Sequence, residues 1–77
     1  MYEFKPVASD GSFTIGYDAD GVAGVIPGNM SESFEKSSDF QRVREGHEFV
    51  EGGGATFVAE SEYDSFGNQV LVWNEVQ

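Results

Sequence analysis

Apolar and polar residues alternate along most of the chain in short runs, which are separated by turns rich in glycine. Such alternation is typical of β-strands, so the pattern predicts several short strands joined by tight turns. The first predicted strand covers residues 2–8 and places Tyr2, Phe4 and Pro6 on one side. Because proline has no backbone N–H to donate, Pro6 restricts this strand to a sheet edge or marks its end.

The second predicted strand has the clearest alternation in the N-terminal half of the chain. Phe13, Ile15 and Tyr17 alternate with smaller or polar residues, which predicts a strand with one buried face. The strand follows a turn at Asp10-Gly11, so the first two strands are predicted to form a hairpin. A third short strand is predicted over Val22–Ile26.

A three-stranded antiparallel meander is predicted from His47 onward. Its strands cover residues 47–51, 55–63 and 69–76, and they are separated by turns at residues 52–54 and 64–68. With turns of these lengths, the residues that lie opposite each other are Phe49 and Phe57, Ala59 and Trp73, and Ser61 and Leu71.

This register sorts the side chains of the meander onto two faces. One face carries the predicted core residues Phe49, Phe57, Ala59, Leu71 and Trp73. The opposite face carries three glutamates and a stripe of valines, namely Glu48, Glu60, Glu62, Val50, Val58, Val70 and Val72. The stripe is too apolar for an open surface, so we expect a helix, the first hairpin or another chain to cover it. A slip of one residue in either turn would exchange the two faces.

Residues 29–46 lack strand alternation and are rich in serine, and they contain the only helix that the sequence predicts. This short helix lies near residues 38–45, with Ser38 as its N-cap and Phe40 on its apolar face. An earlier start at Ser31 is the alternative, and it would add Phe34 to the apolar face.

The composition supports a fold that is mostly β. Nine valines and seven phenylalanines against one leucine favour strands over helices, and ten glycines suit frequent turns. The predicted fold class is α+β, with a small antiparallel sheet of about five to six short strands and one short helix. At 77 residues, the chain is predicted to form a single domain, residues 1–77.

Acidic residues outnumber basic residues by fourteen to four, and the formal net charge is −10. Three of the four basic residues, Lys36, Arg42 and Arg44, lie in one segment, residues 36–44, whose formal charge is +2. From Glu45 onward the chain has seven acidic residues and no lysine or arginine. A salt-adapted surface would explain the acidity alone, whereas the asymmetry favours an acidic face that meets a basic partner.

The residues indicate no catalytic or cofactor chemistry. The chain has no cysteine and a single histidine, His47, so thiol catalysis and zinc sites built from cysteine or several histidines are excluded. Asp18–Gly21 begins like a calcium loop but lacks the later ligands, so it is predicted to be a plain turn. We therefore expect a protein that is not an enzyme and has no cofactor or metal.

The charge argues against direct binding to nucleic acid, because phosphates would repel most of the surface. It suits a basic protein surface instead, such as that of a nucleic-acid-binding complex, whose lysines and arginines would accept carboxylates in place of phosphates. The predicted contacts are Glu48, Glu60, Glu62 and Asp64, with Phe66 at a hairpin tip as an aromatic anchor.

In size and charge, the chain resembles phage-encoded inhibitors of host defence nucleases, which include DNA mimics and anti-CRISPR proteins. The resemblance covers bulk properties and no motif, and it implies an inhibitor that blocks a host defence complex. The alternative function is a structural or assembly protein, a virion or homo-oligomer component that pairs through its sheet. With no apolar run long enough to span a membrane, the chain is predicted to be soluble and cytoplasmic, in the host cytoplasm if it is phage-encoded.

Overall fold

The computed structural model describes residues 4–29 and 38–76, which form two antiparallel sheets. The first sheet has the strand order β1-β2-β3-β4 and the second has the order β5-β6-β7. The seven strands are β1 (Lys5–Ser9), β2 (Phe13–Tyr17), β3 (Ala23–Pro27), β4 (Gln41–Arg42), β5 (Glu48–Val50), β6 (Thr56–Tyr63) and β7 (Gln69–Val76). The prediction of a mostly β, antiparallel fold is thus confirmed. Within the described ranges, no helix is long and apolar enough to cross a membrane.

The described residues form seven strands in two sheets, so the prediction of one sheet with five to six strands is wrong. Strand β4 occupies the segment where the helix was expected. Ser38 and Asp39 form a short 3₁₀ turn, and β4 then pairs with the edge of β3. The short helix near residues 38–45 is therefore also wrong, while its alternative start at Ser31 lies outside the described residues. Pairing with β3 gives the backbone of residues 41–43 hydrogen-bond partners, whereas a short isolated helix would leave backbone groups open at both ends.

An ion pair between Arg42 and Asp18 holds β4 at the edge of the first sheet. The Arg42 guanidinium lies 2.9 Å from Oδ2 of Asp18 and 3.2 Å from Oδ2 of Asp20. Asp18 is only 5% exposed, and its Oδ1 accepts hydrogen bonds from the N–H groups of Asp20 and Val22. The Asp18–Gly21 turn is thus closed by its own carboxylate, and the remaining oxygen of that carboxylate binds the arginine.

The register predicted for the C-terminal meander is confirmed. Phe49 lies opposite Phe57, Ala59 opposite Trp73, and Ser61 opposite Leu71. Both connecting turns place a glycine in the left-handed region, Gly54 at φ 98° and Gly67 at φ 84°. A residue with a Cβ is strained at such an angle, so the glycines determine the turn lengths and thereby the register.

The main core lies between the two sheets. Ile15 and Ala23 of the first sheet pack against Phe49, Ala59 and Trp73 of the second, and all five are buried. Hydrogen bonds also join the sheets, since the Trp73 indole Nε1–H donates to the Gly16 carbonyl oxygen at 3.1 Å. The face of the meander that was predicted to form the core is therefore the face that does so.

A second apolar cluster covers the opposite side of the first sheet. Phe4, Ile26 and Phe40 pack there, and the rings of Phe4 and Phe40 meet edge to face with centroids 5.0 Å apart. Beneath the rings, Gly16 of β2 pairs with Gly24 of β3, and a Cβ on Gly24 would overlap the Phe40 ring. Strand β2 is thus covered on both faces, and the prediction of a single buried face is wrong.

Candidate interaction surface

The outer face of the second sheet, which points away from the main core, brings three of the predicted contact residues together. Glu48 lies opposite Val58, Glu60 opposite Val72, and Glu62 opposite Val70. Because side chains alternate along a strand, Glu48, Glu60 and Glu62 all project from the side opposite Phe49, Ala59 and Trp73. We call this surface the acidic face, and it consists of Glu48, Val50, Val58, Glu60, Glu62, Val70, Val72 and Asn74.

Asn74 fixes the positions of two of the glutamates. Its Nδ2 donates one hydrogen bond to Oε1 of Glu60 and one to Oε2 of Glu62, each at 3.0 Å. The two accepting oxygens therefore lie within about 6 Å of each other, although their charges repel. The amide offsets part of that repulsion and holds both carboxylates in a defined arrangement before any partner binds.

The valines of the acidic face remain partly open to solvent. Val50 is 60% exposed, whereas Val58, Val70 and Val72 are half-buried. Of the predicted covers, the first hairpin packs on the core face instead, and the segment of the predicted helix contains the strand β4 rather than a helix. The third predicted cover, another chain, stays a prediction.

The remaining two predicted contacts, Asp64 and Phe66, lie in the turn between β6 and β7. Oδ1 of Asp64 accepts hydrogen bonds from the backbone N–H groups of Phe66 and Asn68, both at 2.9 Å. This carboxylate therefore shapes the turn as well as adding charge beside the acidic face. Phe66 is 87% exposed at the tip, as an aromatic anchor requires.

Tyr63 is a second exposed aromatic residue that the sequence analysis did not single out. It is the last residue of β6, pairs with Gln69 and is 74% exposed. Its place in the alternation puts it on the side of the core residues, but the strand extends past the main core at this point. The signal that identifies it is its position immediately before the turn at Asp64.

The lysine and arginine residues that the structure describes all lie outside the second sheet. Arg42 is engaged by Asp18 and Asp20, so the predicted basic segment contributes Arg44 as an exposed cation, while Lys36 lies outside the described residues. The second sheet has no lysine or arginine in any of its strands or turns. A basic partner that approaches the acidic face therefore meets no like charge on that sheet.

The polar side chains nearest the main core have structural partners. The His47 ring meets the Trp73 ring edge to face with centroids 6.0 Å apart. The Ser61 hydroxyl accepts a hydrogen bond from the side-chain amide of Gln69. In the part of the chain that the structure describes, no three residues of the metal-ligating types lie close enough together to hold an ion.

Fold and surface together define a small, mostly β protein of two antiparallel sheets, one of which carries an acidic outer face. Comparison of the chain with protein-family models, with curated proteins and with solved structures found no match.

Proposed function

We propose that this chain is a small acidic interaction module that inhibits a host defence complex by occupying its basic nucleic-acid-binding surface. Such an inhibitor would act as an anti-CRISPR or DNA-mimic-like phage protein. The observation that supports the proposal is the acidic face, where Glu48, Glu60 and Glu62 project from one side of a sheet that has no basic residue.

The spacing of the carboxylates suits a surface that has evolved to bind a phosphate backbone. Glu60 and Glu62 are two residues apart on one strand, a distance of about 7 Å between Cα atoms. Glu48 is the diagonal neighbour of Glu60 on the adjacent strand, at about 7–8 Å. Lysine and arginine side chains that contact successive phosphates can reach charges at such intervals, and each contact would be a charge-assisted hydrogen bond.

Phe66 supplies apolar area at the end of the same sheet. Exposed aromatic residues beside charged ones are typical of the few residues that contribute most of the binding energy at protein interfaces. The proposed interface therefore combines the three glutamates and Asp64 with an aromatic tip, and its electrostatic component depends on salt concentration.

A triple charge reversal, Glu48→Lys, Glu60→Lys and Glu62→Lys, tests the proposed function. We expect the natural chain to capture a nucleic-acid-binding complex from host lysate and to displace DNA or RNA from it, with affinity that falls steeply as salt rises. The reversed variant is expected to lose about 100-fold or more in affinity, because each attraction becomes a repulsion. Titration of the identified complex with each variant, with labelled nucleic acid as the competitor, measures this loss.

The matched control is the triple reversal Asp39→Lys, Glu45→Lys and Glu75→Lys, which changes the net charge equally and leaves the acidic face intact. It is expected to retain most of the affinity, although its long-range attraction weakens. If both triple variants lose affinity equally, net charge alone carries the binding and the acidic face is not the site. Full inhibition by the Glu48, Glu60 and Glu62 variant would contradict the proposal directly.

The exposed valines favour an alternative function as a component of an assembly that pairs through its sheet. Val50 is 60% exposed and Val76 is 50% exposed, so a second copy could bury apolar area on the second sheet. Sedimentation at low and moderate salt distinguishes the two functions. A stable oligomer under both conditions would support the assembly function, whereas a monomer under both would contradict it.

A further inference from the structure

In the part of the chain that the structure describes, strand β5 leaves one edge of the second sheet unpaired. The sheet order is β5-β6-β7, so only one side of β5 is paired with another strand. Hydrogen bonds show which residues face β6, since the Ala59 N–H donates to the His47 carbonyl and the Glu51 N–H donates to the Ala55 carbonyl. Because these groups alternate along an antiparallel strand, the backbone groups of Glu48 and Val50 point away from β6. No described residue hydrogen-bonds to these outward groups.

A groove lies along this open edge, between β5 and the first sheet. It has a volume of about 350 Å³, and its walls are formed by Asp10, Phe13, Val25, His47, Glu48, Phe49 and Val50. Phe13 is 48% exposed although it begins a core strand, so part of its ring is available to a ligand in the groove. The groove thus combines apolar side chains with unpaired backbone donors and acceptors, which are the two features that an added strand requires.

We propose that this β5 groove binds an extended, basic segment of another protein as an additional strand of the second sheet. The segment would hydrogen-bond to the outward backbone groups of Glu48 and Val50. Its alternate side chains would project into the groove toward Phe13 and Val25. The site shares Glu48 and Val50 with the acidic face, but it differs from that face because it is formed by the edge of the sheet and by a groove that contains neither Glu60 nor Glu62.

Charge determines the chemistry of the occupant. Asp10 and Glu48 line the groove without any lysine or arginine, and Glu51 follows immediately at the end of β5. Lysine or arginine side chains on the outer side of the added strand would lie beside Glu48 and lower its electrostatic energy. A second copy of this chain fits less well, because each copy has a net charge of −10 and would bring further glutamates to the same edge.

Amide hydrogen exchange with a defined peptide probe tests the proposal. The probe is a synthetic peptide of alternating lysine and valine, about six residues long, which matches a typical strand. In the free protein, the Phe49 N–H faces β6 and is expected to exchange slowly, whereas the Glu48 and Val50 N–H groups are expected to exchange fast. On saturation with the peptide, we expect exchange at Glu48 and Val50 to slow by about tenfold or more.

Two N-methylated forms of the peptide separate strand pairing from simple charge attraction. Each form blocks one of the two alternating sets of peptide N–H groups and keeps every charge. Because only one set faces β5, one form is expected to bind at least about tenfold more weakly while the other matches the parent peptide. Equal binding of all three peptides, or unchanged exchange at Glu48 and Val50, would overturn the proposal.

Variants of the protein complete the test. Val50→Pro removes an N–H that makes no bond within the sheet, so it should keep the fold and weaken peptide binding. The double variant Glu60→Lys with Glu62→Lys disrupts the acidic face but should preserve the difference between the two methylated peptides. Protection of Glu48 and Val50 that depends on protein concentration and needs no peptide would overturn the proposal in favour of self-pairing. If Val50→Pro fails to fold, the methylated peptides decide the question on the natural chain.

Discussion

Replacement of Trp73 by alanine is expected to lower the free energy of unfolding by about 3–5 kcal/mol, a large fraction of the stability of so small a domain. Trp73 is the only tryptophan, and its side chain is 6% exposed between the two sheets. It packs opposite Ala59 and within the cluster that joins Ile15 and Ala23 to the second sheet. No other single side chain contributes more area to that cluster, because tryptophan is the largest residue.

Trp73 also connects the sheets through hydrogen bonds. Its indole N–H donates to the Gly16 carbonyl, and its backbone N–H donates to the Tyr17 hydroxyl at 2.9 Å. The Tyr17 hydroxyl in turn donates to the Trp73 carbonyl oxygen at 3.4 Å. The alanine variant loses the hydrogen bond of the indole N–H. The cavity that remains lets the backbone at position 73 shift, which weakens its hydrogen bonds with the Tyr17 hydroxyl.

The expected cost is about 3–5 kcal/mol, the usual range when a buried tryptophan becomes alanine. A domain of this length has a free energy of unfolding of about 4–12 kcal/mol, so the substitution removes between about a quarter and all of it. Urea denaturation followed by far-ultraviolet circular dichroism measures the loss without depending on tryptophan fluorescence. Trp73→Phe keeps most of the apolar area but not the indole donor, and it should cost about 1–3 kcal/mol.

Phe66→Ala is the matched control for the tryptophan variant. Phe66 is 87% exposed, so its removal should change the free energy of unfolding by less than about 0.5 kcal/mol. A Trp73→Ala protein as stable as the Phe66→Ala protein would show that the sheets do not pack through this residue.

Replacement of Gly16 by alanine is expected to destabilise the first sheet by about 3 kcal/mol, the upper part of the range for an overpacked core. A Cβ at this position would overlap the Lys5 carbonyl oxygen and lie 2.9 Å from Cε1 of Phe4. The Lys5 carbonyl oxygen belongs to the backbone, so this overlap is removed only if β1 moves away from β2. Such a movement would break the pairing of Pro6 with Gly16 and displace the buried Phe4 ring.

Gly52→Ala provides the control for this substitution. A Cβ at Gly52 would meet only Asp10, with its nearest atom at 3.6 Å, which is an ordinary contact. Its effect should lie between neutral and a slight stabilisation, because alanine reduces the freedom of the unfolded chain. Thermal unfolding of both variants checks the difference, and equal midpoints would contradict the close packing of β1 against Gly16.

The C-terminal meander and its acidic face could be predicted from the sequence. Each strand there follows its partner after a short turn, so local alternation and the glycines at 54 and 67 determine the pairing. The positions of Glu48, Glu60 and Glu62 on one face follow from that pairing alone. Their arrangement around Asn74 could not be predicted, because it depends on the side-chain conformations of β6 and β7 together.

The β5 groove and the exposure of Tyr63 could not be predicted from the sequence either. Both depend on where the first sheet ends relative to the second, and no local pattern encodes that relation. The residues Asp10 and Phe13 reach the groove from a turn and strand that precede β5 by more than thirty positions.

In the second sheet, the sequence by itself determined the strands, their turns and the face of each glutamate, because these properties depend on residues close together in the chain. Only the tertiary structure decided that the segment 38–45 contains a strand rather than a helix, and that β2 is buried on both faces. Arg42 binds Asp18, which precedes it by 24 positions, and Phe40 packs over Gly24 and against Phe4. A local capping pattern is worth about 1 kcal/mol, and pairing with β3, the ion pair and the half-buried Phe40 ring together outweigh it.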